Sequence, residues 1–432
     1  MIPRLINFAK RPTSVNVIIN TFGNYLNVFF TALFALILVR ILTPPQYGVL
    51  SVLLGIAYVL ANILDFGTTA TIYSYLPNLY EKKTYELYRF IKSTFYYQSI
   101  FSFFVIAVLL ISFPFLDKVF FKTDAPWSEL ALTSISVLFL IWQNFLQNIL
   151  FAAKKFVKTN VYLNIANIIK TLIVFLMIYL KIITVGSVIF VFGILGPVIF
   201  FFLLFLEKKD LVSIFLKSEV KRSEFRFGYT LTYFLASQFF NLGLRMDLFL
   251  LSYFRSKTEV GYYGLSQKII LTIITTIVSI TQVLSPSFSK ITRKSEALSQ
   301  LKTGFMYLLL PSALFFILFF TPKEVYDLFF TDKFVQTAPI TRALSLPFVL
   351  YALGSLPVLF LLYTVKKPVY ILISNVVFFI ILTLGCYFLI PKMGVFGPPY
   401  AIALALIVAT GIQIVASIKE FKKMFSPRSQ TS

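Results

Sequence analysis

The sequence predicts an all-α, polytopic membrane protein with twelve transmembrane helices in two six-helix bundles related by a pseudo-twofold. Three observations lead there. First, 58% of the 432 residues are hydrophobic and 13% charged, with a mean hydropathy of +0.86. A water-soluble fold of this size cannot hide so much apolar surface. Second, a helix needs about 20 mostly apolar residues to cross a ~30 Å hydrocarbon core. Stretches of that kind are centred near residues 27, 58, 103, 141, 170, 197, 241, 275, 313, 353, 380 and 408. Third, the Lys and Arg residues fall on alternate connections between them.

In chain order, helix 1 follows Arg4, Lys10 and Arg11, but its apolar run from Val15 to Leu42 is too long for a cleaved signal. It reads as a retained signal anchor. Polar residues at helical spacing share one face. Helix 1 carries Asn16, Asn20, Asn24, Asn27 and Thr31, and helix 2 carries Ser51, Gly55, Tyr58, Asn62, Asp65 and Thr69. Helix 4 has Gln143, Asn144, Gln147 and Asn148; helix 5 has Asn160, Asn164, Asn167 and Thr171, with Lys170 on its flank. Helix 7 shows Ser237, Asn241, Arg245 and Ser252, and helix 8 shows Lys268, Thr272, Thr275, Ser279 and Gln282. Helices 3, 6, 9 and 12 are almost wholly apolar. One such residue reads as interhelical glue; the set together suggests a central hydrated cavity lined by six helices and jacketed by the others.

The longest polar break, Glu207 to Gly228, divides the chain into lobes 1–206 and 229–418, with 207–228 as a basic cytoplasmic linker and 419–432 as a basic tail. The turns Arg40–Gly48 and Tyr253–Gly261 lie 213 residues apart and align Thr43 with Ser256, Gln46 with Glu259 and Gly48 with Gly261. An even helix number per half inserts both halves the same way up. With the N-terminus inside, 26 of the 39 Lys and Arg fall on cytoplasmic segments and 9 on outward ones. That bias places both termini in the cytoplasm; the cell inner (plasma) membrane is the expected location. The net charge of +22 therefore reports topology and attraction to anionic membrane lipids, not nucleic acid.

No histidine is present, and Cys386 is the single cysteine. His-based zinc sites, catalytic triads and internal disulfides are thereby excluded, and no cofactor is expected. No phosphate-binding Gly-x-x-x-x-Gly-Lys-Ser/Thr loop occurs. Outward loops are short and their acids (Asp117, Asp124, Glu129, Glu324, Asp327, Asp332) are scattered, which speaks against a membrane sugar-transfer enzyme. A charge at the bilayer centre costs at least ~2.5–3.5 kcal/mol, so a buried charge needs compensation or a use. Arg245, Lys170 and Lys268, with Asn24, Asn164 and Asn241, are the expected ligands of an anionic passenger, because guanidinium and ammonium groups bind phosphate oxygens. Asp65 and Asp247 are the expected ion-coupling acids, for H+ or Na+. Arg245 and Asp247 lie about 200° apart around the helix, so Asp247 should meet another helix or snorkel outward.

The segments Arg40-Ile-Leu-Thr-Pro-Pro-Gln-Tyr-Gly48, Asp65-Phe-Gly67, Arg245-Met-Asp247 and Glu259-Val-Gly-Tyr-Tyr-Gly-Leu-Ser-Gln-Lys268 resemble the polysaccharide-transporter, O-antigen flippase (Wzx-type) branch of the multidrug/oligosaccharidyl-lipid/polysaccharide exporter superfamily. That resemblance implies a V of two lobes around a central cavity and alternating access. It also implies a lipid-linked oligosaccharide passenger on a polyprenyl diphosphate, destined for O-antigen, lipopolysaccharide or another surface polysaccharide. The chain would act as a monomer beside the polysaccharide polymerase machinery. Competing expectations are a drug/cation antiporter of the same superfamily and a lipid II flippase, which usually carries fourteen helices.

Overall fold

A computed structural model describes residues 12–42, 44–82, 85–121, 123–207, 215, 217–329 and 336–426. The described residues are almost entirely helical, without strands. The helices are α1 (Pro12–Ile41), α2 (Pro44–Ile63), α3 (Thr68–Lys82), α4 (Tyr85–Leu116), α5 (Trp127–Ala152), α6 (Phe156–Tyr179), α7 (Val185–Phe190) and α8 (Gly196–Glu207). They continue with α9 (Phe227–Phe254), α10 (Lys257–Phe288), α11 (Lys294–Phe320), α12 (Lys323–Phe329), α13 (Thr337–Leu359), α14 (Val369–Met393) and α15 (Gly397–Met424). Each of the twelve apolar stretches falls on one of them.

Among the described residues, eight helical segments are long and apolar enough to cross a membrane, or nine with the bent pair α2–α3. One of the eight, Val369–Met424, contains both α14 and α15. Helices α1 and α9, of 30 and 28 residues, are also long enough to span. This is a multi-pass helical membrane protein.

The chain forms two compact units, Met1–Thr230 and Leu231–Ser432. In the first, α5 is central and packs on α2, α3, α4, α6, α7 and α8. Half of its most apolar window is buried, against 17% for α4, whose Phe104 and Ile111 stand outward. That contrast separates a helix that fills the bundle from one that faces lipid. Leu50, Leu53, Phe113, Val188 and Ile189 form the heart of this unit's core. The end of the basic linker is pinned to the same unit. Arg89 pairs with Glu224 at 2.6 Å, Lys92 Nζ donates to the Ser218 carbonyl at 2.6 Å, and Phe225 is buried against Phe66 and Tyr97. Residues 208–214 and 216 of the linker, and 427–432 of the tail, lie outside the described residues.

In the second unit α13 is central, packing on α10, α11, α12 and α15. Helices α14 and α15 form a tight pair. A Cβ on Gly385 would lie 2.9 Å from that of Ala401, so glycine there permits the close approach. Gly394, at φ +60°, turns the chain between them, and Arg255 caps the end of α14 by donating to the carbonyls of Ile390 and Pro391. At the other end Lys367 Nζ reaches both oxygens of Glu420 at 2.8 Å, and Tyr370 donates to Glu420 at 2.7 Å. The hydrogen bond to Glu420 raises Lys367 above the ordinary lysine range.

Candidate functional site

The stripes of α1 and α6, and those of α2–α3 and α5, are engaged with one another, whereas Ser237, Thr272 and Ser279 donate to carbonyls of their own helices. On α1 and α6, Asn160 Nδ2 donates to Asn20 Oδ1 at 3.2 Å and Asn167 Nδ2 to Asn27 Oδ1 at 2.8 Å. Both pairs are separated by 140 residues, so the two helices run parallel and in register. Asn24 and Asn164 share that offset (164 − 24 = 140). Asn20, Asn160 and Asn167 are buried, whereas Asn24 and Asn164 are half-buried. Asn164 Nδ2 donates back to the Asn160 carbonyl, and its Oδ1 is buried without a partner among the described residues. Gly23 lets the helices approach: a Cβ there would overlap the Asn160 side chain.

A second polar ladder joins the bent pair to α5. Asn148 donates to Thr69 at 2.8 Å, Tyr73 to Asn148 at 3.3 Å and Asn144 to Asn62 at 3.4 Å. The bend, 48°, is made by Phe66 and Gly67 at φ 54° and 72°. Asp65 precedes it, and its carboxylate accepts from the backbone N–H of Gly67 at 2.8 Å and of Thr69 at 3.3 Å. It thus caps α3, satisfying donors that a helix start leaves open.

Lys170 lies half-buried on α6 at the rim of the apolar core. Its ammonium sits 5.3 Å from the centre of the Phe192 ring and 5.9 Å from that of Phe34. Those rings meet edge to face at 4.5 Å. Gly196 makes room for the lysine stem, since a Cβ there would lie 2.9 Å from Lys170 Cδ. The helices that pack most on α6 are α1, α5 and α8. They carry no acid between them except Glu129, beside Gly186, and Glu207 at the last residue of α8. Gly186 precedes Gly196 by ten residues, roughly 15 Å of helix. Two contacts at this distance offset up to ~2 kcal/mol each when desolvated, against ~2.5–3.5 kcal/mol or more for the buried charge. Cost and compensation are therefore comparable.

In the second unit, Asp247 is 1% exposed on α9 and meets α10. Its Oδ2 accepts from Tyr263 Oη at 2.5 Å and Gln267 Nε2 at 3.0 Å, and its Oδ1 from the Leu248 N–H at 2.7 Å. Tyr263 and Gln267 are four residues apart and share a face of α10. A cavity of about 10 Å³ adjoins the three side chains, closed by Leu244, Leu344 and Phe348, and is about the size for one water. Asn241 is half-buried on α9. The Arg245 side chain lies outside the described residues. Lys268 is exposed, and its carbonyl accepts from Thr272. Of the eight residues expected to form a site, Asn164 and Lys170 share α6, and Asn24 lies on the neighbouring α1. Arg245, Asp247 and Asn241 share α9, Lys268 lies on α10 next to the Gln267 that meets Asp247, and Asp65 caps α3 in the first unit. Phe34, Phe192 and Gly196 were not singled out by sequence, and Tyr263 and Gln267 entered only as part of a motif, without a role. Tyr263 and Gln267 lie within the Glu259–Lys268 segment that carries the family resemblance, and their i, i+4 spacing is a second signal. No cluster of His, Cys, Asp or Glu able to hold a metal occurs among the described residues.

A long-helix bundle in two units, with buried charges inside them, is the architecture of an integral helical membrane protein. Solved structures share the fold. An outward-facing multidrug resistance MATE family transporter of the MOP superfamily superimposes with a TM-score of 0.76 at 14% identity, covering 96% of this chain and 97% of that one. A MATE structure in the bent conformation gives 0.75 at 14% identity, over 97% and 98%. A MOP superfamily transporter from Pyrococcus furiosus, described as having a binding pocket of reverse polarity that suggests a different function, gives 0.74 at 14% identity over 96% and 97%. No curated protein sequence matches the chain. Residues 14–292 match the family described as polysaccharide biosynthesis protein; the chain belongs to that family.

Proposed function

We propose that this protein is a flippase that moves a polyprenyl-diphosphate-linked oligosaccharide from the cytoplasmic to the outer leaflet of the inner membrane by alternating access. The observation that carries the proposal is Lys170, a cation inside an apolar bundle whose neighbouring helices offer it no nearby carboxylate. A diphosphate supplies the missing anion. The polysaccharide biosynthesis family supports a sugar-bearing passenger. Arg245, Lys268, Asn24, Asn164 and Asn241 are its further ligands, and Asp247, with Asp65, is the candidate for H+ or Na+ coupling. Both termini are cytoplasmic, and the product feeds the polysaccharide polymerase machinery. Complementation of a flippase-null strain tests this, with surface polysaccharide as the readout. Restoration by the wild type and loss with Arg245→Ala at equal expression are expected; unchanged polysaccharide in that variant removes Arg245 from its role.

A second reading, a drug/cation antiporter, is favoured by the buried Asp247 carboxylate beside its cavity. Drug resistance conferred by the wild type and lost with Asp247→Asn, without complementation of the flippase strain, would select it.

A further inference from the structure

We propose that the rings of Phe34 and Phe192 are a parking seat for the Lys170 ammonium that competes with the passenger's diphosphate, so that binding exchanges cation–π contact for an ion pair. This rests on the anionic-passenger reading and adds to it the residues that set how tightly the anion is held.

Three features of the first unit support a built seat. The ammonium lies within 6 Å of both ring centres, at 5.3 and 5.9 Å, the range in which a ring quadrupole attracts a cation. The rings are fixed by their edge-to-face contact at 4.5 Å and by burial in the core, Phe34 at 4% and Phe192 at 8% exposure. They cannot follow the lysine if it moves. Gly196 leaves the lysine stem a groove on α8, so the flexible partner is the four-carbon chain. Phosphate oxygens offer a cation a stronger partner than a ring face. The seat therefore yields to the diphosphate and takes the cation back when the passenger leaves. A carrier needs such a partner, because a cation stranded in lipid would hold its anion too firmly to release it.

The test is binding of farnesyl diphosphate to the full chain in lipid nanodiscs. Weakening the seat strands the ammonium and tightens binding, by about two- to tenfold for Phe192→Leu and for Phe34→Leu. A fluorinated phenylalanine at position 192, which keeps the shape and drains the ring's charge, gives the same direction without disturbing packing. In the Lys170→Met background binding weakens and all three ring changes lose their effect. Equal or weaker binding by the fluorinated variant overturns the seat, as does tightening that persists without Lys170; both leave the anionic passenger standing. No binding of farnesyl diphosphate by the wild type overturns the seat together with the reading beneath it.

Discussion

Asp247 offers a perturbation whose two consequences separate cleanly. Its carboxylate accepts from Tyr263, Gln267 and the Leu248 N–H at 2.5–3.0 Å. In Asp247→Asn the amide nitrogen meets the Leu248 N–H donor to donor, so that bond is lost at ~1–3 kcal/mol, and only the oxygen's bonds from Tyr263 and Gln267 remain. Each of these falls from a charge-assisted bond of ~1.5–3 kcal/mol to a neutral one of ~0.5–1.5 kcal/mol, a further loss of about 2 kcal/mol. Removing an anion from a buried site returns an energy of the same order or more. The net change in stability is expected to lie within about 2 kcal/mol of zero. Asp247→Ala instead leaves the Tyr263 hydroxyl and the Gln267 amide without their acceptor, at ~1–3 kcal/mol each, and should cost about 2–6 kcal/mol. Thermal unfolding in detergent measures both variants, and polysaccharide export at varied pH and Na+ measures coupling. If Asp247 couples transport to an ion, the Asn variant keeps its stability and loses the ion dependence. An Asn variant with wild-type ion dependence refutes the coupling role. One that unfolds as easily as the Ala variant refutes the energetic reasoning.

Other outcomes follow from the same contacts. A double-mutant cycle of Asn27→Ala and Asn167→Ala should give a coupling of roughly 0.6–1.7 kcal/mol in unfolding measurements, whereas no coupling would mean the α1–α6 pair contributes nothing. Asp65→Ala should lower stability by about 0.5–2 kcal/mol through loss of the α3 cap, with Asp65→Asn retaining most of it. At the Lys367–Glu420 pair, Lys367→Met should destabilise more than Glu420→Gln, since the lysine side chain is 41% exposed and the glutamate 7%, and a lone buried carboxylate is the costlier remnant. Because Lys367 is held above its ordinary value, its contribution is fully present below about pH 10.4 and fades only as pH rises through the higher folded value. A stability profile that falls between pH 7 and about 9 in the wild type but not in Lys367→Met would contradict this.

Helix positions were legible because the bilayer imposes one length and one solvent on every span, so hydropathy alone places α4, α5 and α11. The bend at Asp65 was less so. A polar stripe running from Ser51 to Thr69 suggested one continuous helix face, yet Phe66 and Gly67 take left-handed φ values and the carboxylate is turned into a cap. Periodicity is blind to a single αL step. Asp247 was expected to meet another helix or reach outward, and its partners Tyr263 and Gln267 lie on α10. No spacing within α9 identifies them, because they belong to a different helix. The seat of Lys170 was hidden for a related reason. Phe34 and Phe192 are two of 51 phenylalanines, and nothing local marks them as different from lipid-facing ones such as Phe104.

The asparagine stripes show what a sequence of this class does and does not encode. Cavity lining and interhelical glue both require polar residues at i, i+3/i+4 and i+7, so one stripe cannot tell them apart. Two stripes can. The spacings of Asn20, Asn24, Asn27 and Thr31 on helix 1 repeat in Asn160, Asn164, Asn167 and Thr171 on helix 5, each 140 residues later. Matched spacing on two helices that run the same way lets each amide face its counterpart, and Asn20–Asn160 and Asn27–Asn167 do so. A stripe without a counterpart of matching spacing has no such partner in register. On helix 7, Ser237 instead donates back to the Phe234 carbonyl of its own helix.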